Sequence, residues 1–192
     1  MNTNWRPGQP IALETERFRI ASIPPRATDA TYLSWWNDPE VQKGLNMPPR
    51  NWTLQDAQRH VASFDNRRRF HLGIVDKAAG KLIGFISLFR ENHGRVQTNS
   101  VIGDKDYWGQ RVVFEVRERI IRFIFEEMDA YKITATVNAR NLPSIYNYKA
   151  QGFTCEAILR DHAEWIEGGR VDMLQFGLLK PEWEDRQTGE EA

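Results

Sequence analysis

A chain of 192 residues suits one domain with a sizeable core. Its 26 basic and 26 acidic side chains cancel, which leaves no long-range field to draw in nucleic acid or an anionic membrane. A lone cysteine, Cys155, excludes an internal disulfide framework and fits a reducing compartment; no apolar run reaches membrane-spanning length, and residues 1–10 lack a signal-peptide core. The expectation is a cytoplasmic protein with one domain over 11–183, a flexible arm at 1–10 and a flexible acidic tail at 184–192.

Residues 18–23 alternate as a strand and stop at Pro24-Pro25. Residues 29–36 read as a helix broken at Asn37-Asp38-Pro39, because the residue before a proline avoids the right-handed helical region. Pro39 then suits the first turn of a short second helix to about 45, and residues 46–52 form a loop containing Pro48-Pro49. Thr53 is a good N-cap for a helix from 54 to about 64, with Ala57, His60, Val61 and Phe64 on one stripe. Strands at 70–75 and 82–89 flank a turn at Lys77-Ala78-Ala79-Gly80, and a third strand at 96–102 follows Asn92-His93-Gly94.

The stretch 107–153 organises the rest. The loop Tyr107-Trp108-Gly109-Gln110-Arg111-Val112-Val113 runs into a helix reaching about 128. Val113, Val116, Ile120, Ile121, Ile124, Phe125 and Met128 form its buried face; Glu115, Glu118, Arg119, Arg122 and Glu126 take the other side. A strand at 132–137 and a helix from 142 to about 151 follow, closed by Gly152. Strands at 154–159 and 171–179 join through Glu167-Gly168-Gly169, so the element order predicts an α+β sheet with helices packed on it. A loop entering a helix N-terminus offers unpaired N–H groups and the positive end of a dipole, both favourable to a pyrophosphate.

The segments IGDKDYWGQ…E (102–115) and VNARNLPSIYNYKAQGF (137–153) resemble the GNAT superfamily of acyl-CoA-dependent N-acetyltransferases, and within it the branch of ribosomal-protein and spermidine acetyltransferases. The resemblance runs from about 11 to about 183. It implies a mixed, mostly antiparallel central sheet flanked by helices, acetyl-CoA as acyl donor, and direct attack by a primary amine in a ternary complex. It assigns the pyrophosphate to the backbone of Gly109, Gln110, Arg111, Val112 and Val113, and the pantetheine arm to the strand ending at Val101 and Ile102. Asn141 and Ser144 contact the cofactor in this reading, and Tyr148 protonates the leaving thiolate. Trp36, Asn37 and His162 stand on the acceptor side. The loop departs from the family pattern Gln/Arg-x-x-Gly-x-Gly/Ala at all three defining positions, where Trp108, Arg111 and Val113 stand; Gly109 and Glu115 survive from the branch pattern.

Two acceptors stay open: a small polar amine (amino sugar, polyamine or amino acid derivative) and a protein N-terminus. The acidic residues Asp38, Glu40 and Glu164 near the expected acceptor side favour a small cationic amine. A third reading is a non-catalytic binding module that keeps the fold. No residue stands out as general base, the four histidines show no metal spacing, Cys155 reads as buried on a strand, and both a monomer and a homodimer fit.

Overall fold

The computed structural model describes residues 5–47 and 50–189. Alternation at Phe18, Arg19 and Ile20 makes β2 (Phe18–Ser22), with the two apolar side chains buried and the arginine outside. The short β1 (Ala12–Glu14), which has no sequence signal of its own, pairs antiparallel with it. Asp29 caps α1 (Ala30–Trp36), and Asp38 caps α2 (Pro39–Leu45) with Pro39 in its first turn. A complete capping box between Thr53 and Asp56 opens α3 (Leu54–Ala62).

β3 (Arg69–Asp76), β4 (Lys81–Arg90) and β5 (Arg95–Ile102) continue as an antiparallel meander. β6 (Lys132–Asn138) lies parallel to β5, reached through α4 (Val112–Arg122). After α5 (Leu142–Ala150) the hairpin of β7 (Thr154–Glu164) and β8 (Arg170–Leu179) completes one eight-stranded sheet in the order β1-β2-β3-β4-β5-β6-β8-β7. α6 (Lys180–Gly189) ends the described chain. This is the α+β sheet that the element order predicts, mixed and mostly antiparallel as the resemblance implies.

Each face of the sheet carries its own core. Val116, Ile120 and Ile124 pack with Leu72, Leu88, Ile133 and Phe176 on one side. On the other, Tyr32, Trp35, Trp36 and Val41 pack with Phe85 and Val101, which are register partners on β4 and β5. Alternation along β5 therefore sends Val101 to the second core and Ile102 to the first. Beneath the second core, Tyr32 Oη and Ser87 Oγ each lie 2.8 Å from a ring nitrogen of the buried His71. Burial, with His60 adding to it, holds the His71 pKa down at about 3.

Several expectations are corrected. The helix after α4 widens over Phe123–Glu127 into a π-helical turn, where Met128 N–H donates to the Phe123 carbonyl at 3.0 Å. β7 runs on to Glu164 rather than ending near 159, with breaks in register that keep it on the shorter β8. Cys155 is exposed, because β7 is the edge strand. Part of the expected arm lies on the domain: the Trp5 ring packs 5.8 Å from Phe70 and 5.4 Å from Phe123. The supposed tail is helical as far as Gly189, anchored by buried Trp183 against Phe125 and by Arg186, which donates to the Gln151 carbonyl at 2.8 Å. The rest of the expected arm (1–4) and tail (190–192), with Pro48-Pro49, lies outside the described residues.

Candidate active site

β5 and β6 share register at three pairs alone, Arg95↔Lys132, Val96↔Ile133 and Gln97↔Thr134. Past Gln97 the strands run on to Ile102 and Asn138 without pairing, so their ends diverge into a notch lined by strand edges. β5 leads into α4 and β6 into α5, so both helix N-termini open at the carboxyl end of the parallel pair. That is where open α/β sheets bind ligands.

The loop on the first lip is tightly specified. Trp108 Nε1 donates to the Ile102 carbonyl at 2.8 Å, and Asp104 accepts from the Asp106 N–H while pairing with Lys81. Gly103 has the Trp35 indole against its backbone, where a Cβ would overlap the ring. Gly109 and Arg111 are both left-handed, at φ 75° and 59°. Arg111, where the family pattern puts a glycine, thus adopts a conformation that glycine takes without strain. The first bond into the helix runs from Glu115 N–H to the Arg111 carbonyl at 3.2 Å, so the N–H groups of Val112, Val113 and Phe114 have no helical acceptor. A side chain at Gly109 would meet nothing within 4 Å, and the Arg111 guanidinium lies back over the Phe114 ring, 4.8 Å from its centroid.

Arg17 supports this lip from β2's leading turn, a role the sequence does not announce. Its side chain donates to the Gln110 carbonyl at 3.1 Å and to Glu115 Oε2 at 2.6 Å, and Thr15 Oγ1 donates to Glu115 Oε1 at 2.6 Å. Partial burial pushes the Glu115 carboxyl up, but these donors outweigh it and hold it below the usual carboxylate range.

On the second lip Asn141 caps α5, accepting from Ser144 N–H at 3.2 Å and donating to the Gly44 carbonyl at 3.3 Å. Its amide is engaged at both ends within the protein; Ser144 Oγ has no protein partner among the described residues. Tyr148, 4% exposed, stacks on Phe176 at 5.4 Å and meets Phe153 edge-on at 5.1 Å. Across its other face lies Arg117 of α4, whose guanidinium carbon is 3.8 Å from the ring centroid. Arg117 is 2% exposed and donates to Gln151 Oε1 at 3.1 Å and Ser100 Oγ at 3.2 Å. Its signal in the sequence was an arginine at a position of the helix's apolar stripe, three residues before Ile120.

The acceptor side differs from expectation. Trp36 is 7% exposed and belongs to the second core, stacked 5.4 Å from Phe85 and 4.6 Å from Trp52, rather than lining a groove. Asn37 uses both ends of its amide on the Trp52 backbone, at 2.7 and 3.0 Å. His162 is exposed on β7, and no hydrogen bond of its ring links it to the notch among the described residues. Asp38 and Glu40 share the single Lys105, and Glu167 pairs with Lys43 at 2.6 Å, while Glu164 has no ion pair among the described residues. The tip of the β7–β8 hairpin is latched onto α2. There Asn46 donates to the Glu164 carbonyl at 2.8 Å and accepts from the Ile166 N–H at 3.1 Å.

Among the described residues no cluster of His, Cys, Asp or Glu could hold a metal, and no helix is long and apolar enough to cross a membrane. Residues 19–154 match the family described as the acetyltransferase (GNAT) domain. The chain is 29% identical over 181 residues to an N-acetyltransferase, p20, of Bacillus licheniformis, covering 89% of this chain and 97% of that one. Among solved structures, the ribosomal-protein-S5-alanine acetyltransferase of Vibrio fischeri superposes with a TM-score of 0.76 at 18% identity, over 90% of this chain and 98% of that one. The spermidine N-acetyltransferase of Vibrio cholerae, solved with CoA and spermine, superposes with a TM-score of 0.75 at 16% identity, over 88% and 99% of the two chains.

Proposed function

The chain belongs to the acetyltransferase (GNAT) domain family, and from that premise we propose that it transfers acetyl from acetyl-CoA to the primary amine of a small polar molecule in one ternary complex. The observation that carries the donor is the left-handed loop at Gly109 and Arg111, which leaves three helix-start N–H groups without a backbone acceptor among the described residues. Successive N–H groups of that kind suit a pyrophosphate. The unpaired edge of β5 beyond Gln97 offers backbone partners for an amide-bearing arm. The residues present therefore fit an acyl-CoA.

A thioester supplies an activated acyl group whose sulfur departs as a thiolate. In this reading Tyr148 is the group that gives that sulfur a proton, and an amine must arrive uncharged to attack. The acceptor reading rests on shape, because Asp38 and Glu40 are already paired with Lys105. The hairpin tip on α2 and the Asn141–Gly44 bond narrow the acceptor end, which favours a slender amine over a folded chain.

The test has two stages. Acetyl-CoA at a hundredfold excess over Kd adds roughly 2.7 kcal/mol, on the order of 5–10 °C in Tm for this size. No shift at millimolar ligand would overturn the donor assignment. CoA release is then read against spermidine, glucosamine, amino acid amides and peptides with free N-termini. Turnover confined to the peptides would replace the small amine with a protein N-terminus.

A further inference from the structure

Arg117 is a buried cation without a buried anion. Among the described residues it pairs with no carboxylate, and its Nε has no hydrogen-bond partner. Two neutral acceptors and the face of Tyr148 are all that it has among the described residues, and a second cation at this end of α5, Arg186, bonds the Gln151 carbonyl. Removing a guanidinium from water without a counter-charge is expensive, and the apolar stripe around it would accept a leucine. Its three contacts tie α4 to β5 and α5: Ser100 belongs to β5, Gln151 caps the C-terminus of α5, and Tyr148 is the proposed acid.

We propose that Arg117 is a positioning residue for the transfer reaction: it clamps the Tyr148 ring and stabilises the phenolate that remains once the tyrosine proton has gone to sulfur. This rests on the reading of Tyr148 as the acid. In the step, the amine nitrogen bonds to the acyl carbon and the carbon–sulfur bond breaks with its electron pair on sulfur. The Tyr148 proton moves to that sulfur, the amine proton leaves to water, and water reprotonates the phenolate. Before transfer the ring is neutral and attracts the cation only through its π face; afterwards a full negative charge faces it. The interaction therefore strengthens as the reaction proceeds, which is the condition for lowering a barrier.

A double-mutant cycle tests this, with CoA release from acetyl-CoA measured against spermidine, or against water if spermidine is not accepted. Tyr148→Phe is expected to lower kcat by about a hundredfold or more. Arg117→Gln is expected to lower kcat by about tenfold or more with Tyr148 present, with KM for acetyl-CoA little changed, and to add almost nothing in the Tyr148→Phe background. Equal losses in both backgrounds would make Arg117 a mere strut and overturn the inference while leaving Tyr148 as the acid. A Tyr148→Phe variant with full kcat, or no CoA release with either acceptor, would instead overturn the reading beneath it.

Should Arg117→Gln fail to fold, Arg117→Lys keeps the charge without the fork, and its loss in kcat is likewise expected to vanish in the Tyr148→Phe background.

Discussion

The guanidinium of Arg111 lies over the ring of Phe114, three residues along the helix that Arg111 caps, while its own backbone stands at φ 59°. A left-handed residue with a Cβ is strained by roughly 1–2 kcal/mol. Arg111→Gly is therefore expected to be more stable than Arg111→Ala by about 1 kcal/mol, since both lose the stacking but glycine alone loses the strain. Thermal unfolding of the pair measures it; an alanine variant as stable as the glycine one would mean that the loop relaxes.

Arg17 ties the Gln110 carbonyl and Glu115 together beneath the same loop. Arg17→Ala is expected to weaken acetyl-CoA binding by about tenfold, the effect of roughly 1.4 kcal/mol, with kcat at saturation within about twofold of the unchanged protein. Calorimetric titration beside steady-state kinetics separates the two.

Gly103 lies flat on the Trp35 indole, between β5 and the loop. Gly103→Ala forces the ring or the loop to move and is expected to destabilise by about 1–3 kcal/mol, as overpacking does. Urea unfolding reads the loss. Indole fluorescence should shift with it, because Trp35 is otherwise buried.

His71 gives the fold a pH dependence with a definite sign. Its pKa is about 3 in the folded protein and about 6.5 in an unfolded chain. Between those values the unfolded state binds the extra proton, so stability rises with pH and is lost as pH falls below about 6.5, at up to about 1.4 kcal/mol per unit. His60, also held low by burial, adds in the same direction. The stability gap between the unchanged protein and His71→Asn should narrow steadily from pH 7 toward pH 4, read by urea midpoints; a constant gap would contradict the neutral assignment.

Residues 29–62 were legible because each helix there is punctuated chemically. Asp29, Asp38 with Pro39, and Thr53 with Asp56 all stand where the structure uses them. α6 was illegible for the opposite reason: its ten residues are mostly charged or polar, and one tryptophan, Trp183, holds it down from a distance in sequence. The continuation of β7 past Arg160, Asp161 and His162 likewise carries no apolar alternation; those three residues bulge out of register, and pairing with β8 resumes at Ala163 and Glu164. Trp36 was misjudged because a ring beside Asn37 and Asp38 looks like part of a groove. Its burial depends on Trp52, Phe85 and His60, which come from three other elements. The loop was read correctly as a helix start, but that Arg111 would hold a glycine's conformation is decided by contacts at Arg17, Ile102 and Trp35.

The three register pairs between β5 and β6 have a mechanical meaning. Eight strands form one sheet, yet among the described residues the backbone pairing between its two halves is confined to the short stretch from Gly94 to Gln97. The halves are coupled at one end and free at the other, like the arms of a tuning fork. A ligand seated between the free ends would act as a brace joining the arms, so amide exchange near 95–97 and 132–134 should slow on ligand binding although no ligand atom need touch those residues.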